Sequence, residues 1–141
     1  MLLLEVIGER NMSHISTAKT QIKHPDPTLL QRAVEVVAGQ QLGEVTGYYL
    51  DWNMRKQQTS LALFVPNLKR GMAVVVDPTT GELQFVGDFY GVQPLVSEIQ
   101  GSIIQTYTSL AVMQALAAQG YVVEAQEGTN GQVVLTGVTH A

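Results

Sequence analysis

The sequence predicts an α+β fold in which two helices cover one face of a mainly antiparallel sheet. Two segments carry apolar residues at helical spacing, and the four runs between them are short and rich in β-branched and aromatic residues. Turn signals join successive runs into hairpins, which favours antiparallel pairing. The predicted order is β-α-β-β-β-β-α-β-β, and its two halves suggest a ferredoxin-like arrangement as a variant of this fold.

The length of 141 residues is that of one compact domain. We expect residues 12–141 to form this domain, because Met12 opens the first segment with a clear pattern. Residues 1–11 are interpreted as an extension or an alternative start, with an extra edge strand over Leu2–Ile7 as the other interpretation. No basic residue precedes the amino-terminal leucines, so a signal peptide is not predicted.

The charge content limits the classes of partner. Charged residues make up 14% of the chain and the net charge is −4. Because nucleic-acid binding depends on an excess of positive charge, we do not expect this protein to bind nucleic acid. So little charge only weakly opposes contact between copies, and we expect a homo-oligomer, most simply a homodimer. The longest uncharged run, between Glu98 and Glu124, carries too many glutamine, serine and threonine residues for a membrane span. The chain has no cysteine, which fits a reducing compartment.

The first strand and helix are predicted on either side of a proline-rich break. Residues 14–22 alternate loosely and include several β-branched residues, as in a strand. Asp26 followed by Pro27 is typical of a helix N-cap and first helical position. Apolar residues then recur at helical spacing up to Gly39 or Gly43, either of which is a suitable helix end.

The middle of the chain is predicted to be a series of strands. We predict these at Val45–Trp52, Thr59–Val65, Met72–Val76 and Glu82–Phe89. The intervening turns are placed at Asn53–Gln58, Lys69–Gly71 and Asp77–Gly81. The first two of these turns hold four basic residues, Arg55, Lys56, Lys69 and Arg70, which would form a small anion-binding patch if neighbouring loops brought them together. Solvated turn charges are the simpler interpretation.

The second helix is predicted to begin near Pro94–Ser97, with a possible break at Gly101, and to end at Gln119–Gly120. A hairpin of Tyr121–Glu127 and Gln132–Val138 follows, joined by an Asn-Gly turn. The helix has a wide apolar stripe that should pack on the sheet. Its other positions include polar but uncharged residues, and we predict a partner-binding surface at Gln105, Ser109 and Gln114.

Several segments resemble one protein family. Met12–Ile22 (MSHISTAKTQI), Leu42–Gly43, Gln105–Tyr107 and Gln119–Val123 resemble the two ends of the hypothetical chloroplast reading frame thirty-five family, which is conserved in cyanobacteria and red-algal plastids and has no known function. The segment from Trp52 to Gly91 matches less well. The resemblance implies a protein of the cyanobacterial cytosol or the plastid stroma, without established catalytic residues. It also suggests a AAA-type ATPase as a partner.

A pocket between the sheet and the second helix is predicted around His14 and Tyr107. His14 opens the first strand, where a histidine could act as a base or hydrogen-bonding group, although a solvated polar residue is the simpler interpretation. His24 is interpreted as a loop residue and His140 as part of a terminal tail. The three histidines lack the short spacing of a metal site, and no Gly-x-Ser-x-Gly sequence is present.

We therefore predict no catalytic residues, no metal and no cofactor. The leading functional hypothesis is a non-enzymatic interaction or regulatory protein that binds a protein partner. The alternative is a small-ligand binder or enzyme of ferredoxin-like α+β type, which uses the pocket between the sheet and the second helix.

Overall fold

The computed structural model describes residues 15–127 and 133–139. Its elements are β1 (Ile15–Lys23), α1 (Pro27–Gln40), β2 (Glu44–Leu50), β3 (Lys56–Val65), β4 (Leu68–Val76), β5 (Glu82–Asp88), α2 (Gln93–Ala118), β6 (Tyr121–Glu127) and β7 (Val133–Thr139). This order confirms the predicted α+β fold. His14, the extension 1–11, the loop of the last hairpin and His140 lie outside the described residues.

Five strands form one antiparallel sheet in the order β1-β5-β4-β3-β2, and β6 and β7 form a separate antiparallel pair. The chain from β2 to β5 is a continuous meander, and β1 joins it beside β5. β1 and β2 therefore lie at opposite edges, and the connection through α1 must cross the sheet. This arrangement differs from the ferredoxin-like variant, in which each half would form its own β-α-β unit.

The core lies between one face of the sheet and the two helices. α1 buries residues at helical spacing, including Leu30, Val34 and Val37, and α2 buries Val96, Ile99 and Ile103. The strands contribute a matching set of fully buried side chains: Leu63, Leu68, Met72, Leu83 and Phe85. Burial of each large apolar side chain stabilises the fold by roughly 1.5–3 kcal/mol. The core between the sheet and the helices therefore accounts for much of the free energy that favours folding.

Helix α1 begins and ends with defined capping contacts. The Asp26 carboxylate accepts hydrogen bonds from the backbone N–H groups of Thr28 (2.9 Å) and Leu29 (3.1 Å), as the N-cap prediction required. At the other end Leu42 takes the left-handed conformation (φ 57°), and the Gly43 N–H donates to the Ala38 carbonyl. A Cβ on Gly43 would lie 2.1 Å from the Phe64 carbonyl oxygen. Glycine is therefore needed at the position that touches β3, and leucine occupies the left-handed position.

One predicted turn is shorter than expected and another is entirely strand. Residues 53–55 form the loop of the predicted Asn53–Gln58 turn, but β3 already begins at Lys56. β4 begins at Leu68, because the reversal from β3 needs only Pro66 and Asn67. Asn67 has φ 71°, which suits the third position of a type II turn after proline. The segment Lys69–Gly71 is a bulge inside β4, and Gly71 supplies its positive φ of 72°.

The turn at Asp77–Gly81 is formed as predicted. The Asp77 carboxylate accepts hydrogen bonds from the N–H groups of Thr79 (2.8 Å) and Thr80 (3.2 Å). These two bonds favour the ionised carboxylate and lower the pKa of Asp77. Gly81 closes the turn with φ 73°.

Helix α2 is continuous through Gly101, where the sequence suggested a break. Gly101 is exposed, and a Cβ built on it would meet no atom within 4 Å. A glycine in a helix lowers the stability of that helix by about 1 kcal/mol relative to alanine. Burial of Ile99 and Ile103, on either side of Gly101, contributes more than this to the stability of the fold. No helix in residues 15–127 and 133–139 has the length and hydropathy to cross a membrane.

Candidate functional site

The first candidate site is a shallow groove between the β1–α1 turn and the second half of α2, called here the turn groove. Its volume is about 580 Å³. The polar residues in its lining are His24, Asp26, Tyr107 and Gln114. The apolar lining consists of Pro25, Pro27, Leu29, Ala111, Ala115 and Ala118. This lining combines apolar surface with a few polar groups, as in small-molecule sites.

Tyr107 links the two walls of the turn groove. Its hydroxyl accepts a hydrogen bond of 2.9 Å from the backbone N–H of Asp26, while the Asp26 side chain caps α1. The phenolic O–H can still donate, because a hydroxyl is both donor and acceptor. Tyr107 therefore lines a groove at the β1–α1 turn, whereas the sequence placed its pocket between the sheet and the second helix. The predicted second residue, His14, is outside the described residues.

His24 is the groove residue that sequence reasoning missed. It adopts φ 51°, and its N–H donates to the Gly81 carbonyl at 2.7 Å. Its imidazole lies directly on Gly81, since a Cβ there would come within 2.2 Å of the ring. The available signal was the break at Pro25 and Pro27, which turns the chain beside the start of α1.

A second groove lies between the first turn of α1 and the sheet. It has a volume of about 460 Å³. Its lining residues are Pro25, Pro27, Leu30, Gln31, Ser60, Leu61, Val74, Val75 and Val76, none of which is charged. The alternative prediction placed a pocket between the sheet and the second helix, whereas this groove involves the sheet and the first helix. We call it the split groove, because the pairing between β3 and β4 stops where these strands form its walls.

The four basic residues have different environments. Lys56 Nζ lies 4.5 Å from the centroid of the Tyr48 ring, a cation–π distance. The Arg70 Nε lies 3.7 Å from the buried Asp88 carboxylate, and its Nη2 donates to the Trp52 carbonyl at 3.5 Å. Arg55 and Lys69 are exposed.

Arg70 contacts the β2–β3 loop, which also holds Arg55, through the Trp52 carbonyl. However, the Asp88 carboxylate already compensates the Arg70 charge. An anion at this point would compete with that carboxylate. Among the described residues, no three histidine, aspartate or glutamate side chains lie close enough together to hold a metal ion.

The predicted partner surface on α2 divides into two faces. At about 100° per residue, Gln105, Ser109 and Val112 fall on one side of the helix, whereas Gln114 lies opposite Gln105. Gln114 lines the turn groove. Gln105 and Val112 are exposed and Ser109 is half-buried. We call the side formed by Gln105, Ser109 and Val112 the distal face.

The distal face has little cover for an apolar helix. Every fully buried residue of α2 lies between Val96 and Ile103, and Val112 is 40% exposed. No charged residue occurs between Glu98 and Glu124. Comparisons with models of protein families, with characterised proteins and with solved structures found no match to this chain.

Proposed function

We propose that this protein is a non-enzymatic interaction domain that binds another polypeptide through the distal face of α2. The contrast within α2 carries the proposal: its buried residues end at Ile103, while the uncharged surface continues to Ala118. The centres of protein interfaces are depleted in charged residues. A face without charged side chains avoids the large cost of removing an ion from water when a partner covers it.

A second copy of the chain is the first partner to test, because the small net charge opposes self-association only weakly. The AAA-type ATPase suggested by the family resemblance is a second candidate. A location in the cytosol or the plastid stroma belongs to the same proposal.

The test compares Val112→Glu with a matched control, Val36→Glu. Val36 lies on α1 and is 38% exposed, against 40% for Val112, so both substitutions place a carboxylate at a similar depth. In sedimentation velocity over a concentration series, we expect the wild type and Val36→Glu to form a dimer. Val112→Glu should remain a monomer.

The same three proteins also serve as baits in native extract. The proposal requires proteins that wild type and Val36→Glu retain and Val112→Glu loses. A wild type that is monomeric throughout, together with one identical set of captured proteins for all three baits, would contradict it.

A second candidate function is small-ligand binding in the turn groove. The observation that favours it is the Tyr107 hydroxyl, which lines the groove with a free donor capacity beside Gln114 and His24. A thermal-shift screen of metabolites checks this function. A true ligand should lose its stabilising effect in Tyr107→Phe and Gln114→Leu, and keep it in Gln40→Leu, which changes an exposed glutamine outside the groove. If no compound distinguishes these variants, the ligand-binding function is abandoned.

A further inference from the structure

The split groove begins where strand pairing stops. β3 and β4 pair at Ala62 with Ala73 and at Leu63 with Met72, and again next to the tight turn. Beyond Ala73, the residues Val74–Val76 have partners in β5 but none in β3. Residues Thr59–Leu61 of β3 likewise have no partner in β4, and they form a bulge opposite Gly47 of β2, between the pairs Thr46–Ala62 and Tyr48–Gln58. The described sheet therefore contains an internal gap with a strand on each side.

Both walls of this gap present backbone hydrogen-bonding groups. In an antiparallel strand, successive residues direct their N–H and C=O groups alternately to the two sides. On β4, either Val75 or the pair Val74 and Val76 must therefore face the gap. Such unpaired edges are the sites at which proteins accept an additional strand.

The remaining surface of the split groove is apolar and carries no charge. Pro25 and Pro27 of the β1–α1 turn lack a backbone N–H, and Leu30 and Leu61 add apolar side chains. Ser60 and Gln31 are the two polar side chains in the lining. A charged occupant would lose hydration without gaining an opposite charge, so this lining favours an uncharged one.

We propose that the split groove binds an extended, uncharged peptide segment of another polypeptide, which enters between β3 and β4 as an added strand. A segment of about three residues spans roughly 10 Å, which matches the three residues on each wall that lack a partner across the gap. Its backbone satisfies the two strand edges, and apolar side chains at alternate positions face Leu30, Leu61 and Val74. A compact apolar molecule of the same size would leave these backbone groups unpaired. This site is separate from the distal face of α2, and the inference does not depend on the function proposed for that face.

The probe is a panel of fluorescein-labelled, end-blocked pentapeptides that alternate threonine with valine, isoleucine or tyrosine. Each peptide is paired with an analogue that is N-methylated at alternate residues and has the same side chains. We expect saturable binding by fluorescence anisotropy for at least one peptide. Its N-methylated analogue should bind at least tenfold more weakly, because each backbone hydrogen bond contributes about 0.5–1.5 kcal/mol.

The protein variants are Ser60→Lys and the matched control Ser97→Lys, both at exposed serines. Lysine on a strand edge blocks the approach of another strand, so Ser60→Lys should weaken binding at least tenfold. Ser97 is on α2, outside the split groove, and its variant should bind as wild type does. Val76→Lys, at an exposed residue on the opposite wall, provides a second variant if Ser60→Lys does not fold.

Three results would overturn the proposal. One is equal binding of a peptide and its N-methylated analogue, which would show that the groove recognises side chains alone. Another is the absence of saturable binding across the panel. The third is binding that appears only after residues 1–11 are removed, because the groove would then belong to the chain's own amino-terminal segment.

Discussion

The two halves of α2 are similarly poor in charge but lie in different environments. Val96, Ile99 and Ile103 of the first half are buried in the core, whereas Leu110, Met113 and Leu116 of the second half are only partly buried. α2 packs against α1, and it also contacts β6 and β7, which are outside the five-stranded sheet. Hydropathy alone therefore does not decide which half of a helix is buried, since both halves of α2 are apolar and the buried residues are all in the first.

The largest expected effect comes from truncating the first half. Ile99→Ala should lower the free energy of unfolding by about 2–5 kcal/mol, because Ile99 is fully buried and its removal leaves a cavity. Leu116→Ala, in the second half, should cost less than half as much. Urea unfolding of both variants measures the comparison, and equal losses would show that the second half is as firmly packed as the first.

Gln100 allows a change in the opposite direction. This side chain is completely buried, its amide nitrogen lies 3.8 Å from the Met72 sulfur, and its Oε1 has no hydrogen-bond partner. Gln100→Met keeps the shape and removes the unsatisfied group, so the free energy of unfolding should rise by about 1–2 kcal/mol. Gln114→Met is the control in the exposed half and should change stability by less than about 0.5 kcal/mol. A loss of stability in Gln100→Met would mean that the amide is satisfied in solution.

Local sequence signals predicted the parts of the fold that depend on neighbouring residues. The Asp26–Pro27 pair placed the start of α1 correctly, and the Asp77–Gly81 turn formed where its residues indicated. In both cases the side chain that defines the feature bonds to backbone within three residues of itself. Such features are readable from a single sequence because few distant contacts can override them.

Features that depend on distant contacts were not predictable. Lys69 and Arg70 look like turn residues, yet they lie in a bulge of β4, where Arg70 approaches Asp88. The groove position of His24 depends on Gly81, far away in sequence. The gap between β3 and β4 results from where pairing stops, and no residue type at Ser60 or Val75 signals it. The candidate sites were therefore less visible in the sequence than the fold.

Tyr107 lies at the boundary between the two halves of α2 and joins them to α1. In Tyr107→Phe the Asp26 N–H loses its acceptor, and the free energy of unfolding should fall by about 1 kcal/mol. Hydrogen exchange at the Asp26 amide should become faster, whereas the capped amide of Leu29 should be nearly unchanged. Unchanged exchange at Asp26 would show that water replaces the hydroxyl without cost, and that this hydrogen bond does not stabilise the contact between α2 and α1.

The smallest change in the stability of the monomer is expected for a substitution at Val112. This substitution tests directly whether a second copy covers the second half of α2. Val112 is already 40% exposed, so Val112→Ala should change the stability of the monomer by less than about 0.5 kcal/mol. If a second copy covers the distal face, the Tm of the wild type must rise with protein concentration by mass action. This rise should be smaller in Val112→Ala and intact in Val36→Ala, which truncates an equally exposed valine on α1. A wild-type Tm that is independent of concentration would mean that the second half of α2 is exposed without a second copy, and that its lack of charge has another cause.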